Sequence, residues 1–118
     1  MEIHIDLFGC NDSEDVLLRF GEILQFGGPK GNVRTKANVN NIGWGINWDA
    51  FNDCLRDLEV GGIWGSAKKI EFPLKLVIKN FKDFLKNEPN GFKTLKEILE
   101  EHQKEYAKKD KKFQIIFD

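Results

Sequence analysis

The sequence predicts an α/β fold: a three-stranded parallel sheet packed with about four helices, in a single domain over residues 1–118. Two observations lead to this prediction. Segments of strand-type residues are separated by segments with helical spacing, and parallel strands need long crossovers whose helices cover the sheet. With 41% hydrophobic residues, a chain of 118 residues is long enough to bury one core and too short for two.

The first strand is predicted over residues 2–8, where apolar and polar side chains alternate at the period of a pleated backbone. Asp12 or Ser13 then provides the cap of a first helix. Its buried face is expected to consist of apolar residues at helical spacing: Val16, Leu17, Phe20, Ile23 and Leu24. Glycines beginning at Gly27 are expected to stop this helix, and the aperiodic segment 27–46 to form a long loop.

A second helix is predicted after Asn47, whose side chain can cap it. The core face is expected to carry the apolar residues Trp48, Phe51, Leu55 and Leu58. Asp49, Asp53 and Asp57 follow i, i+4 and i+8 spacing, so their carboxylates lie on one side, away from the core. Two interpretations remain open: an ordinary solvated face, or an acidic patch for a cationic partner.

The second half of the chain predicts the remaining elements. Residues 70–78 resemble a strand, with a bulge or a cis peptide at Pro73, and Asn80 is expected to start a third helix. Residues 89–91 are expected to separate it from a long fourth helix. That helix should bury the apolar stripe Phe92, Leu95, Ile98, Leu99, His102 and Tyr106. The segment 113–117 then predicts the third strand.

The net charge is −1, so the whole molecule offers no strong field for nucleic acid or for an acidic membrane surface. The N-terminus lacks the basic and apolar regions of a signal peptide, and no apolar run approaches the roughly 20 residues that cross a bilayer. We therefore expect a cytoplasmic protein that does not bind membranes. In that compartment Cys10 and Cys54 are expected to stay reduced.

Residues that could support catalysis are few and widely separated. His4 and His102 stand alone, and Cys10 and Cys54 lack the close spacing of a zinc or redox pair. The glycines form no phosphate-binding motif. We therefore predict that the protein is not an enzyme, has no catalytic residues, and uses neither a metal nor a cofactor.

The segment GWGINWDAFNDCL at 43–55 resembles the binding loop and second helix of the barstar family of ribonuclease inhibitors. The matching residues are Asn47, Asp49, Ala50, Asp53, Cys54 and Leu55. EFPLKLVIKNF at 71–81 is similar to the family's proline-containing central strand. The resemblance implies a three-stranded parallel sheet, and it places a cis peptide bond between Phe72 and Pro73.

The resemblance also implies an intracellular immunity protein that inserts its second helix and preceding loop into the active site of an endoribonuclease or nuclease toxin. Asp53 matches the principal acidic residue of that contact, and Asp49 matches a second one. The other predicted partner-binding residues are Trp44, Gly45, Asn47, Asp57 and Glu105. Trp44 fits a core anchor as well as an interface aromatic.

Several residues depart from the family pattern. The loop carries Lys30, Arg34 and Lys36, and Arg56 stands where the family has a small neutral residue on its binding face. An insertion at 61–69 lengthens the link to the second strand. These departures keep an alternative open, in which the chain is a barstar-like module that binds an acidic protein or RNA without inhibiting a nuclease. We expect the free protein to be a monomer.

Overall fold

The computed structural model describes residues 1–26, 46–56, 58 and 70–118. The elements are β1 (Glu2–Asp6), α1 (Ser13–Leu24), α2 (Trp48–Arg56), β2 (Leu74–Lys79), α3 (Lys82–Asn87), α4 (Pro89–Ala107) and β3 (Phe113–Phe117). They confirm the predicted α/β fold, with three strands and four helices in the described part of the chain. The insertion 61–69 and all of the predicted loop 27–46 except Ile46 lie outside the described residues.

Contacts along the chain define two compact units. The sheet unit comprises Met1–Val16 and Glu71–Asp118, and the α2 unit comprises Leu17–Ile70. The sheet unit contains all three strands together with α3 and α4, and α1 begins in it. The α2 unit contains the rest of α1 and all of α2.

The strands of the sheet unit pair in the order β1-β2-β3, and both pairings are parallel, as predicted. Ile3 lies opposite Leu76, and Leu76 lies opposite Ile115. As the central strand, β2 buries four of its six side chains: Leu74, Leu76, Val77 and Ile78. Central strands read as nearly continuous apolar runs because helices cover parallel sheets.

β1 and β2 are both shorter than the strands predicted from the sequence. β1 ends at Asp6 rather than at residue 8, since the Asp6 carboxylate accepts the Phe8 backbone N–H at 2.9 Å and turns the chain. β2 begins at Leu74 rather than at residue 70. Pro73 has no N–H to donate to a ladder, and the Phe72–Pro73 peptide is cis, as the family resemblance implied.

The prediction for the start of the third helix was wrong. Asn80 does not begin α3; it adopts the left-handed conformation with φ of 55° just after β2. Its Nδ2 donates a hydrogen bond to the Asp6 carboxylate at 2.7 Å, which ties the ends of two neighbouring strands together. α3 begins two residues later at Lys82.

The prediction for residues 89–91 was also wrong, because these residues form the first turn of α4. Pro89 occupies the first helical position, where its missing N–H would have no intrahelical partner in any case. Gly91 is buried because the space for a side chain is already filled: an added Cβ would lie 2.5 Å from Ser13 Oγ and 3.1 Å from Phe84 Cζ.

α4 packs against β3 along its predicted apolar stripe. It buries Gly91, Leu95, Leu99, His102 and Tyr106, whereas Phe92 and Ile98 are half-buried. The rings of Tyr106 and Phe113 meet edge to face with centroids 5.6 Å apart, and Gln103 Nε2 donates to the Phe113 carbonyl at 3.2 Å. His102 is 6% exposed, so it is a packed core-edge residue.

α1 has a side-chain cap at its start and a left-handed residue at its end. Asp12 is the cap, since its carboxylate accepts the Asp15 N–H at 2.8 Å. The helix ends at Leu24, before the glycines expected to stop it. Gln25 takes the left-handed conformation with φ of 55°, and the Phe26 N–H donates to the Gly21 carbonyl at 3.0 Å. This arrangement satisfies a terminal carbonyl of the helix without a glycine.

Candidate protein-binding site on helix α2

The N-terminus of α2 is fixed by Asn47, as the sequence predicted. Asn47 Oδ1 accepts the Ala50 N–H at 2.8 Å, and the Asn47 carbonyl accepts the Phe51 N–H at 3.0 Å. The first bond satisfies a donor that the first turn of a helix would otherwise leave without a partner, and the second is the first regular backbone bond of α2. Asn47 therefore has a structural role, and its side-chain oxygen is used within the helix.

Phe51 anchors the buried face of α2. It is fully buried, and its ring meets three others edge to face: Phe20 at 5.1 Å, Trp48 at 5.8 Å and Phe26 at 6.2 Å between centroids. Cys54 and Leu55 are also fully buried on this side. Because each large aromatic ring removes much apolar surface from water, this cluster holds a short helix in one orientation.

The opposite face of α2 presents two of the three predicted carboxylates. Asp49 is exposed, and Asp53 is half-buried with 49% of its side chain exposed. At about 100° per residue, the two side chains project about 40° apart, roughly opposite Phe51. The buried cluster and the cap therefore hold both carboxylates on a single, solvent-facing side of the helix.

Arg56 pairs with Asp53 on this exposed face. Its Nη2 donates a hydrogen bond to Asp53 Oδ1, and 60% of the Arg56 side chain is exposed. Asp49 lies in the first turn of α2 and Arg56 in the last turn, so the helix dipole favours both of these charges. Arg56 departs from the family pattern, and its pair with Asp53 was not predicted, although i, i+3 spacing is typical of such pairs.

The remaining predicted partner-binding residues fall into two groups. Trp44, Gly45 and Asp57 lie outside the described residues. Glu105 is exposed on α4 in the sheet unit, where Lys108 Nζ lies 3.0 Å from its carboxylate. The hydrogen bond from Lys108, followed by the lysine's positive charge, lowers the pKa of Glu105 from its ordinary value.

The chemistry that α2 offers is binding by charge and hydrogen bonds. Ionised carboxylates accept strong, charge-assisted hydrogen bonds from arginine and lysine side chains. Within the described ranges, no group of three His, Cys, Asp or Glu residues is placed to hold a metal ion. In the same ranges, no helix combines the length and apolar character needed to cross a membrane. Cys54 is buried on the inner side of α2, away from its carboxylates.

Comparison with known proteins identifies a family. The family model described as Barstar (barnase inhibitor) matches residues 40–118, which is more than half of the chain. A search among curated proteins finds no match. The matched segment contains α2 with both Asp49 and Asp53, and it continues through β2, α3, α4 and β3.

Proposed function

Because the chain belongs to the barstar family, we propose that it inhibits a ribonuclease by blocking the active site with α2 and the loop before it. One observation carries this proposal. A capped, aromatic-anchored helix presents Asp49 and Asp53 together on its exposed side. A rigid acidic surface of this kind suits a protein partner, because its side chains lose little freedom on binding.

The charges of α2 complement the chemistry of a ribonuclease. RNA carries a phosphate at every nucleotide, and cationic side chains are common partners of that phosphate in the enzymes that cleave it. A carboxylate is also an anion with two acceptor oxygens, and it can occupy the same cationic site. Attraction between the two surfaces speeds encounter, and burial of well-paired charges slows release.

Individual roles follow from position on the helix and from the family pattern. We assign Asp53 as the principal contact with the cationic site and Asp49 as a second contact one turn earlier. Trp44, Gly45, Asn47, Asp57 and Glu105 complete the proposed partner-binding set. The proposed partner is a cognate endoribonuclease or nuclease toxin, met in the cytoplasm by a monomeric inhibitor that uses no cofactor.

The test is an inhibition and binding assay with barnase and with nuclease toxins from the same cell. We expect Asp53→Ala to weaken binding by about 2 to 5 kcal/mol, the range typical of a buried charge pair that loses one member, as in complexes of barnase with barstar. The Asp49→Ala/Asp53→Ala variant should lose inhibition. Both should unfold at nearly the wild-type urea concentration, because exposed side chains contribute little to stability.

Lys93→Ala is a matched control, since it removes an exposed α4 charge paired with Glu97. It should inhibit as the wild type does. A folded wild-type protein that inhibits no ribonuclease would contradict the proposal. Salt-sensitive binding of that protein to RNA would then favour the barstar-like module without nuclease inhibition.

A further inference from the structure

The pairing of Arg56 with Asp53 adds a feature to the acidic surface of α2. Asp53 is the carboxylate assigned above to the partner's cationic site, yet in this structure it already bonds a guanidinium. We propose that Arg56 masks Asp53 in the free protein and thereby selects against partners that offer positive charge alone. This inference rests on the ribonuclease-inhibitor function proposed above.

Helix geometry places Asp53 and Arg56 so close together that a partner contacts both. Residues at i and i+3 are neighbours on one face, with Cβ atoms roughly 5–6 Å apart. Asp53 and Arg56 keep 49% and 60% of their side chains exposed. A partner surface that covers one of them must therefore also meet the other.

The presence of Arg56 beside Asp53 changes the charge pattern that a partner must present. A uniformly cationic cleft attracts Asp53 but repels Arg56. A cleft whose cation stands beside a carboxylate satisfies both residues at once. α2 thus fits a partner with a paired positive and negative site better than one with positive charge alone.

The masking can be measured without any nuclease, with pentalysine as a purely cationic probe. Wild type, Arg56→Ala, Arg56→Gln and Lys93→Ala are titrated at low salt, and binding is followed at the backbone amides of Asp49 and Asp53 by NMR. Both Arg56 variants should bind about two- to fivefold more tightly than Lys93→Ala, as expected for release of an exposed ion pair. Lys93→Ala changes the net charge by the same amount as the Arg56 variants, but Lys93 lies on α4 and not on α2. It is also about 18 Å along α4 from Glu105, the proposed contact on that helix.

The gain must also depend on Asp53. In the Asp53→Asn background, replacing Arg56 with Gln should tighten pentalysine binding no more than Lys93→Ala does. Equal affinities of Arg56→Gln and Lys93→Ala in the wild-type background would overturn the proposal. So would a gain of the same size that persists when Asp53 is Asn, since it would reflect net charge alone.

Barnase separates this inference from the function on which it rests. We expect Arg56→Gln to bind barnase about tenfold more tightly than the wild type, because the cleft meets Asp53 without a competing cation. If Asp53→Ala weakens barnase binding while Arg56→Gln leaves it unchanged, inhibition stands and masking fails. If pentalysine binding tightens as expected and no variant inhibits any ribonuclease, masking stands and the proposed function fails.

Discussion

Helices α2 and α4 are both amphipathic, but they are stabilised in different ways. α2 has nine residues, begins with the Asn47 side-chain cap and depends on an aromatic cluster around Phe51. α4 has nineteen residues, begins with Pro89 and no side-chain cap, and distributes its burial over five residues along its length. Short helices have little stability in isolation. α2 therefore needs its side-chain cap and aromatic cluster, whereas α4 can depend on packing along its whole length.

The two helices also place their ion pairs differently. On α4, Glu105 pairs with Lys108 beyond the end of the helix, where a cation suits the helix dipole. On α2, Asp53 pairs with Arg56 on the face proposed to meet the partner. The two i, i+3 pairs therefore have the same spacing but different positions, one at the end of α4 and one on the exposed face of α2.

The largest expected effect is loss of the aromatic anchor of α2. Phe51→Ala should lower the free energy of unfolding by about 3 to 5 kcal/mol, because it removes a fully buried ring and leaves a cavity. Urea denaturation followed by circular dichroism measures the change. Lys93→Ala should stay within about 0.5 kcal/mol of the wild type. A loss below 1 kcal/mol for Phe51→Ala would show that the anchor of α2 lies elsewhere.

A smaller effect is expected at the start of α4. Gly91→Ala places a Cβ 2.5 Å from Ser13 Oγ, and that hydroxyl is held by a 2.9 Å bond to Glu88. Overpacking of this kind costs about 1 to 3 kcal/mol, more than the gain in helix propensity of up to about 1 kcal/mol. Urea denaturation of Gly91→Ala should therefore show destabilisation.

The cause of that destabilisation can be isolated with Ser13→Ala, which removes the crowding oxygen. In a double-mutant cycle, Gly91→Ala should be less destabilising in the Ser13→Ala background than in the wild type. Equal losses in both backgrounds would assign the cost to the other two neighbours, Phe84 Cζ and Glu88 Oε2, which lie 3.1 Å and 3.2 Å from the added Cβ.

Removal of the side-chain cap of α2 should have a smaller effect on stability. Asn47→Ala removes the acceptor of the Ala50 N–H and should cost about 1 kcal/mol in unfolding free energy. Asn47→Asp keeps an oxygen at the same place and should retain stability. Thermal and urea unfolding test the cap, and barnase binding tests the contact proposed for Asn47. Full stability of Asn47→Ala would mean that the capping bond contributes nothing measurable.

The smallest effect concerns the ion pair on α4. Lys108→Ala should raise the pKa of Glu105 toward its ordinary value of 4.5, because the lysine's hydrogen bond and charge lower it. A lowered carboxyl pKa stabilises the fold above pH 4.5 and loses that effect as pH falls through the lowered value. Wild type and Lys108→Ala should therefore differ slightly in stability above pH 4.5 and converge below it. NMR titration of the Glu105 carboxyl gives the pKa directly, with Lys93→Ala as the unchanged control.

Much of this architecture is predictable from local patterns. The bounds of β3 agree with the prediction for residues 113–117, and the predicted apolar stripe of α4 contains four of the five residues that the helix buries. The Asn47 cap was likewise predicted correctly, and Phe51 and Leu55 are buried on α2 as expected, whereas Trp48 is half-buried and Leu58 lies beyond the end of the helix. Each of these features depends on residues within a few positions of one another, so spacing alone is informative.

Two of the errors occur where residues far apart in the chain meet. Asn80 was expected to start a helix, but its amide bonds Asp6, which is 74 positions away. Gly91 was expected to break a helix, but it lies within one where Ser13 leaves no space for a side chain. Turn propensity cannot reveal such neighbours, because it reports local backbone preference and not tertiary contact.

The sequence by itself determined which faces of the helices are apolar and that α2 presents its carboxylates away from the core. The geometry of a regular helix converts residue spacing directly into direction. Tertiary structure decided that Asn80 lies outside α3 and that Gly91 lies inside α4. At those positions, hydrogen bonds and close packing with distant residues outweigh local propensities, which amount to about 1 kcal/mol per residue.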